Sequence, residues 1–174
     1  MPKPPLEPSA TVDPPPSPAR AGAVLFWIVC AAGLALRFYY LARLPRSTGD
    51  VVRHLYYGWL VWRQGISVAD VPLNMTHYYI PMPVWADIPY SYPVMGLYFF
   101  TLLAGIWPTI FMAKAALTAI EAANAWLVWQ VSGRRWIGLV YWLCPLSIWW
   151  VSSEGQYEPL QNLFALLAIY LFMK

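Results

Sequence analysis

From Ala21 to Ala42 the chain runs through 22 residues in which Arg37 is the only charge. About 20 such residues suffice to cross a bilayer, and in hydrocarbon such a stretch satisfies its backbone only as a helix. The run predicts a first transmembrane helix over 22–43, with Arg37 near enough to its end to snorkel toward the headgroups. A cleaved signal peptide is the competing reading; the length of the run and the proline-rich stretch ahead of it speak against that. The rest of the chain has the same character, with 60% hydrophobic, 17% aromatic and 11% charged residues, where a soluble domain carries roughly 25% charged. The expected class is therefore an all-α integral membrane protein. Several helices of about 20 residues each would consume most of the 174 residues and leave little room for a soluble catalytic domain.

Residues 1–21 hold Pro2, Pro4, Pro5, Pro8, Pro14, Pro15, Pro16 and Pro18 with almost no large apolar side chain; they predict a disordered cytoplasmic tail. Residues 44–108 form the next region, an external loop with juxtamembrane helices. Within it, 50–66 has helical periodicity. Val52, Leu55, Tyr56, Trp59, Trp62 and Ile66 fall on one face, and Asp50, Arg53, His54, Tyr57 and Gln64 on the other, the pattern of an amphipathic helix lying in the interface. Ser47 or Thr48 would cap it. The stretch 71–92 is rich in Pro, Tyr and Met and predicts an extended loop.

The apolar material at 93–131 is too long for one span and is broken at Trp107-Pro108. Two readings stand: two full helices at 93–107 and 110–131, or a short juxtamembrane helix followed by one crossing at 109–131. Further spans are expected at 136–151 and at 159–174, the last short enough to be incomplete, with an acidic loop at 152–158 between them. Asp50 can meet Glu154 and Glu158 only if an even number of crossings separates them. The second reading meets that condition and gives about four spans. Arg134-Arg135 then marks the cytoplasmic face, although the loop-side Arg43, Arg46, Arg53 and Arg63 nearly balance Lys3, Arg20, Arg134, Arg135 and Lys174.

The net charge of +3 is scattered along the chain, which argues against nucleic acid as a partner. Cys30 and Cys144 both lie in apolar runs and supply no disulfide framework. His77 has no companion at a zinc-like spacing, and Asn74-Met75-Thr76 fits a glycosylation acceptor only in a lumenal loop. Glu121 sits in mid-helix, with Asn124 beside it and Lys114 two turns earlier; it reads as polar glue between helices, among small residues that let helices approach closely.

Several short motifs occur in order: Gly49-Asp50 with Arg53 and His54 behind it, Tyr90-Ser91-Tyr92-Pro93, Lys114, Arg134-Arg135, Trp142 to Ile148, and Gly155-Gln156-Tyr157-Glu158. Over residues 22–174 this order resembles the N-terminal part of the GT-C superfamily of membrane glycosyltransferases, closest to those that take mannose from a polyprenyl or dolichyl phosphate. Three positions depart from the family pattern. Residue 158 is Glu where Asp is common, 144–145 is Cys-Pro where Asn-Pro is common, and a single acid stands at the first loop motif where several relatives have a pair.

The resemblance implies a hexosyltransferase, or the N-terminal module of one. It would move a hexose, most simply mannose, from a polyprenyl-phosphate donor to an acceptor on the extracytoplasmic face, in a bacterial cytoplasmic membrane or the endoplasmic reticulum. It implies Asp50 as the catalytic base; without it, an aspartate that satisfies backbone donors at a helix start explains the residue equally well. Arg53, His54, Glu154, Gln156, Tyr157 and Glu158 are the implied substrate-binding residues. The resemblance fixes no cofactor, and magnesium or manganese is the divalent cation that such carboxylates would suit. Such enzymes have more helices, so the implied partners are membrane lipid, the lipid-linked donor, and either a partner membrane subunit or a missing C-terminal half. The alternative is a non-catalytic membrane subunit that binds lipid or assembles with partner helices.

Overall fold

A computed structural model describes residues 18–43, 50–65, 94–107 and 109–174. The tail before Pro18, the caps at Ser47 and Thr48, the loop at 71–92 with Asn74 and His77, and the Tyr90–Pro93 motif lie outside the described residues. Among those described, every regular element is a helix and there is no strand, as expected. In chain order they are α1 (Pro18–Leu41), α2 (Asp50–Gln64), α3 (Val94–Ile106), α4 (Ile110–Ser132), α5 (Arg135–Trp142), α6 (Pro145–Ser147), a π-helical turn (Ile148–Ser153) and α7 (Glu158–Phe172).

α4 is the axis of the assembly. Its start is set by Thr109, whose hydroxyl accepts the Met112 N–H at 3.2 Å, and its end by Gly133 in the left-handed region at φ 66°, a conformation glycine adopts at no steric cost. Its 23 residues extend about 34 Å at 1.5 Å per residue. α1 lies antiparallel beside it. At one end Phe26 meets the rings of Trp129 and Trp136, and at the other the Tyr40 carbonyl meets the Lys114 ammonium. The molecule thus has a basic end, where Arg134 and Arg135 are exposed, and an opposite end where α1 finishes and α4 begins.

At that opposite end α2 and α3 run parallel, shown by the order of their contacts. Gly58 abuts the Phe100 backbone so closely that a Cβ there would collide with its carbonyl, and a Cβ on Gly105 would stand 2.7 Å from the Trp62 ring. α3 has 13 residues, about 20 Å, which favours the short-helix reading of 93–107 over a full span. One buried cluster, Val51, Leu55, Phe100, Ala113, Leu117, Val151 and Tyr157, ties α2 and α3 to α4 and the π-helical turn. A second, Phe26, Ala125, Leu139 and Trp142, holds the basic end.

Several expectations need correction. The first helix starts at Pro18, inside the stretch read as tail; proline is well tolerated at a first helical position because the N–H it lacks would be unbonded anyway. Of the four expected spans only Gly22–Leu41 is both long and apolar enough to cross a membrane, and a second is reached only if the pair Arg135–Trp142 and Pro145–Ser153, bent by 44°, counts as one. Lys114, Glu121 and Asn124 dilute α4, Pro145 breaks the 136–151 run, and α7 has only 15 residues. The acidic loop is also shorter than expected: Ser152 and Ser153 belong to the π-helical turn and Glu158 opens α7.

Arg37 does not snorkel. It is fully buried, and its guanidinium donates to the Trp142 carbonyl at 2.7 Å, Ser147 Oγ at 2.9 Å and Ser152 Oγ at 3.2 Å, lying 4.0 Å from the Trp142 ring centre. These bonds tie α1 to α5, α6 and the π-helical turn.

Candidate active site

The segment after the π-helical turn is shaped by one glycine. Gly155 stands at φ 73°, and the turn closes through bonds from the Glu154 N–H to the Trp149 carbonyl (3.1 Å), the Gly155 N–H to Val151 (3.0 Å) and the Gln156 N–H to Trp150 (2.9 Å). This is a helix C-terminal closure one residue wider than the usual Schellman arrangement, as the π turn demands. A Cβ on Gly155 would stand 2.8 Å from Val51 Cβ and 3.2 Å from Lys114 Cγ. The 154–157 segment therefore lies directly on the first turn of α2 and on α4. Asp50 opens α2 next to that contact, so the two acidic segments that are 104 positions apart in sequence come together in backbone.

The rest of the implied binding residues divide. Glu154 is buried, with Ser153 Oγ donating to it at 3.4 Å, and the Lys114 ammonium interacts with it electrostatically. Tyr157 is buried and its hydroxyl accepts from Gln161 Nε2 at 2.9 Å. His54 is buried between two rings, stacked on Phe100 at 4.7 Å and edge-on to Tyr157 at 5.3 Å. Arg53 is buried on the same helix, close enough to Tyr57 to offset part of the effect of burial, which pushes that phenol up to about 12. Gln156 is half-buried, and Glu158 is exposed on the first turn of α7, where a carboxylate is favoured by the helix dipole.

α2 itself is a correction. The face expected to meet water carries His54 and Tyr57, both fully enclosed, while Trp62 on the expected apolar face is exposed. The helix is wedged between α3 and the Gly155 loop, and a helix contacted on two sides buries most of its circumference. His54 packs between α2, α3 and Tyr157, and Arg53 lies nearer to the surface.

The sequence did not give the partners of two residues of consequence. Lys114, fully buried, donates to the carbonyls of Tyr40 (2.8 Å), Leu41 (3.4 Å) and Arg43 (2.7 Å). It caps the C-terminus of α1, whose free carbonyls and dipole favour a cation, and it presents the same charge to Glu154. Arg37 is the other. Its partner Ser147 donates a short hydrogen bond to Glu121, and Glu121 also accepts from Tyr141 (3.1 Å) and Asn124 (3.3 Å). Asn124 reaches the Pro159 carbonyl at 2.9 Å. This network joins α1, α4, α5, α6 and α7, and it matches the reading of Glu121 as glue, with Arg37 reaching it through Ser147 Oγ and interacting with it electrostatically. A lone arginine in an apolar run, followed downstream by a lone glutamate in another, was the available signal.

Among the described residues no three His, Cys, Asp or Glu side chains gather closely enough to hold a metal ion. No protein-family model, curated protein or solved structure matches the chain.

Proposed function

We propose that this chain is a membrane glycosyltransferase of the GT-C type, or the N-terminal module of one, acting on a lipid-linked hexose at the end of the bundle where α2 meets the Gly155 loop. The observation that carries the reading is the seating of Gly155 on Val51, which draws Asp50 and Glu154 to one place, at the end of α4 away from Arg134 and Arg135. α1 supports the membrane assignment. Only 22% of its apolar window is buried, and Val24, Leu25, Trp27, Ile28 and Phe38 face outward, an arrangement stable against lipid and costly against water.

In this reading Asp50 takes the proton from the acceptor hydroxyl as that oxygen bonds to the anomeric carbon of the donor. The bond from that carbon to the phosphate oxygen breaks on the opposite side, its electron pair leaves with the polyprenyl phosphate, and the configuration inverts. Arg53 meets the charge of the departing phosphate. Glu154, positioned by Lys114 and Ser153, orients acceptor hydroxyls, and Gln156, Tyr157 and Glu158 line the approach. If a divalent cation takes part, magnesium or manganese on Asp50 and Glu154 suits oxygen ligands. The test is Asp50→Asn in the full chain, read as hexose transfer from a polyprenyl-phosphate donor. Transfer is lost while membrane insertion and helix content stay as in the parent; full transfer by Asp50→Asn removes Asp50 from the reaction.

A second reading has its own support. Phe164, Leu167, Leu171 and Phe172 leave the outer side of α7 exposed, as a subunit that completes itself against partner helices would. Transfer activity in the isolated chain separates the two.

A further inference from the structure

The basic end of the bundle carries a feature that transfer chemistry does not use. A groove of about 500 Å3 runs between α1, α4 and α5, a size within the roughly 300–1,000 Å3 of small-molecule sites. Along α1 it reaches from Phe26 to Leu34, about 12 Å at 1.5 Å per residue. Its floor exists because a Cβ on Gly138 would lie 2.6 Å from the Ala125 carbonyl oxygen, so α5 meets α4 at backbone distance and no side chain stands above the contact. Trp126 and Trp129 form one wall. The only charged side chain on the lining is that of Arg135, whose guanidinium lies 5.4 Å from the Phe26 ring and 5.9 Å from the Trp136 ring, with exposed Arg134 beside it.

A long, dry slot with a cation at its aqueous end is complementary to a hydrocarbon chain that ends in a phosphate. A water-soluble molecule would need polar partners along the walls, and the walls supply almost none. A partner helix about 10 Å across would need roughly 900 Å3 over the same length, so it could cover the mouth but not enter. Tryptophans at this level also suit the headgroup boundary of a bilayer.

We infer that this groove holds one hydrocarbon chain of an anionic phospholipid, with the lipid phosphate bound by Arg135 at its mouth. The inference rests on the membrane assignment above and not on the transfer reaction. It is tested on the full chain in dodecyl maltoside, titrated with palmitoyl-oleoyl phosphatidylglycerol or with phosphatidylcholine of the same chains, and bound lipid is counted by native mass spectrometry. One phosphatidylglycerol is retained, and its advantage over phosphatidylcholine is roughly fivefold, the effect of one basic side chain at an anionic headgroup. Arg135→Gln removes the advantage. Ala31→Phe, which plugs the groove from an exposed position on its lining, weakens retention of both lipids while circular dichroism stays as in the parent.

Equal retention of the two lipids by the parent chain overturns the inference, as does undiminished phosphatidylglycerol binding in both variants. Release of the chain from membranes by alkaline carbonate overturns the membrane assignment together with it. A chain that stays in the membrane but shows no headgroup preference overturns the lipid site alone and leaves the Asp50→Asn assay as the judge of the transfer reaction.

Discussion

Replacing Arg37 by methionine is the sharpest probe of how this bundle is held together. Methionine keeps the length of the side chain and its packing against Trp142, but it removes the donors to the Trp142 carbonyl, Ser147 and Ser152. It also leaves the Glu121 carboxylate, only 2% exposed, without its cationic counterpart. Hydrogen bonds between membrane helices average roughly 0.6 kcal/mol, so three are worth about 2 kcal/mol. Arg37 and Glu121 meet through Ser147 Oγ rather than directly, so leaving the buried carboxylate without the nearby cation costs less than the ~3–5 kcal/mol of breaking a direct buried pair. The two figures overlap in origin and do not add; a loss of about 3 kcal/mol is expected. The assay is unfolding of the full chain in dodecyl maltoside by titrated sodium dodecyl sulfate, followed by circular dichroism. A double-mutant cycle isolates the pair: Glu121→Gln alone destabilises, and adding it to Arg37→Met restores part of the loss, a coupling of about 1–2 kcal/mol. If Arg37→Met costs less than about 0.5 kcal/mol, the range of an ordinary surface substitution, then Arg37 reaches the headgroups after all and the network does not bind α1 to the bundle.

Two further outcomes are expected. Gly155→Ala places a methyl 2.8 Å from Val51 Cβ at φ 73° and so adds a collision to backbone strain of about 1–3 kcal/mol; Gly65→Ala, at φ 64° in open space, carries the strain alone, and thermal unfolding that ranks the two equally would refute the docking of the loop on α2. Burial raises Tyr57 from its ordinary value of 10.0 to about 12, so the folded state favours the neutral phenol. The stability this provides is complete below pH 10 and is lost as the pH rises toward 12, and Tyr57→Phe should flatten that alkaline decline in a pH series of unfolding midpoints.

The helices were largely legible because their signals are local. The 22–43 run, the periodicity over 50–66, and the apolar stretch at 109–131 after the Trp107-Pro108 break each act within a few residues, and each element stands within a few residues of its expected place. The break at Pro145 was less accessible. Its neighbours are all apolar, so hydropathy joins α5 to the π-helical turn, although a proline lacks the N–H that a continuous helix requires there. The buried side of α2 was not legible at all. Val51, Leu55, Tyr56, Tyr57, Trp59 and Leu60 surround the helix, and periodicity cannot choose a side when apolar residues occur on all of them.

The candidate site shows the same division. The order of motifs singled out Asp50 and the Glu154–Glu158 segment, and counting crossings stated only the condition under which they could meet. That Gly155 touches Val51, that Lys114 holds the end of α1 and faces Glu154, and that Arg37 answers Glu121 depend on contacts between residues tens of positions apart. Composition and local pattern therefore determined an apolar, all-helical chain and the approximate limits of its helices, since backbone hydrogen bonding and burial of apolar area respond to neighbours in sequence. Only the tertiary structure decided which charges are enclosed and what they face, because the energy of a buried ion depends on the partners that packing brings within about 4 Å of it, and sequence separation does not encode that distance.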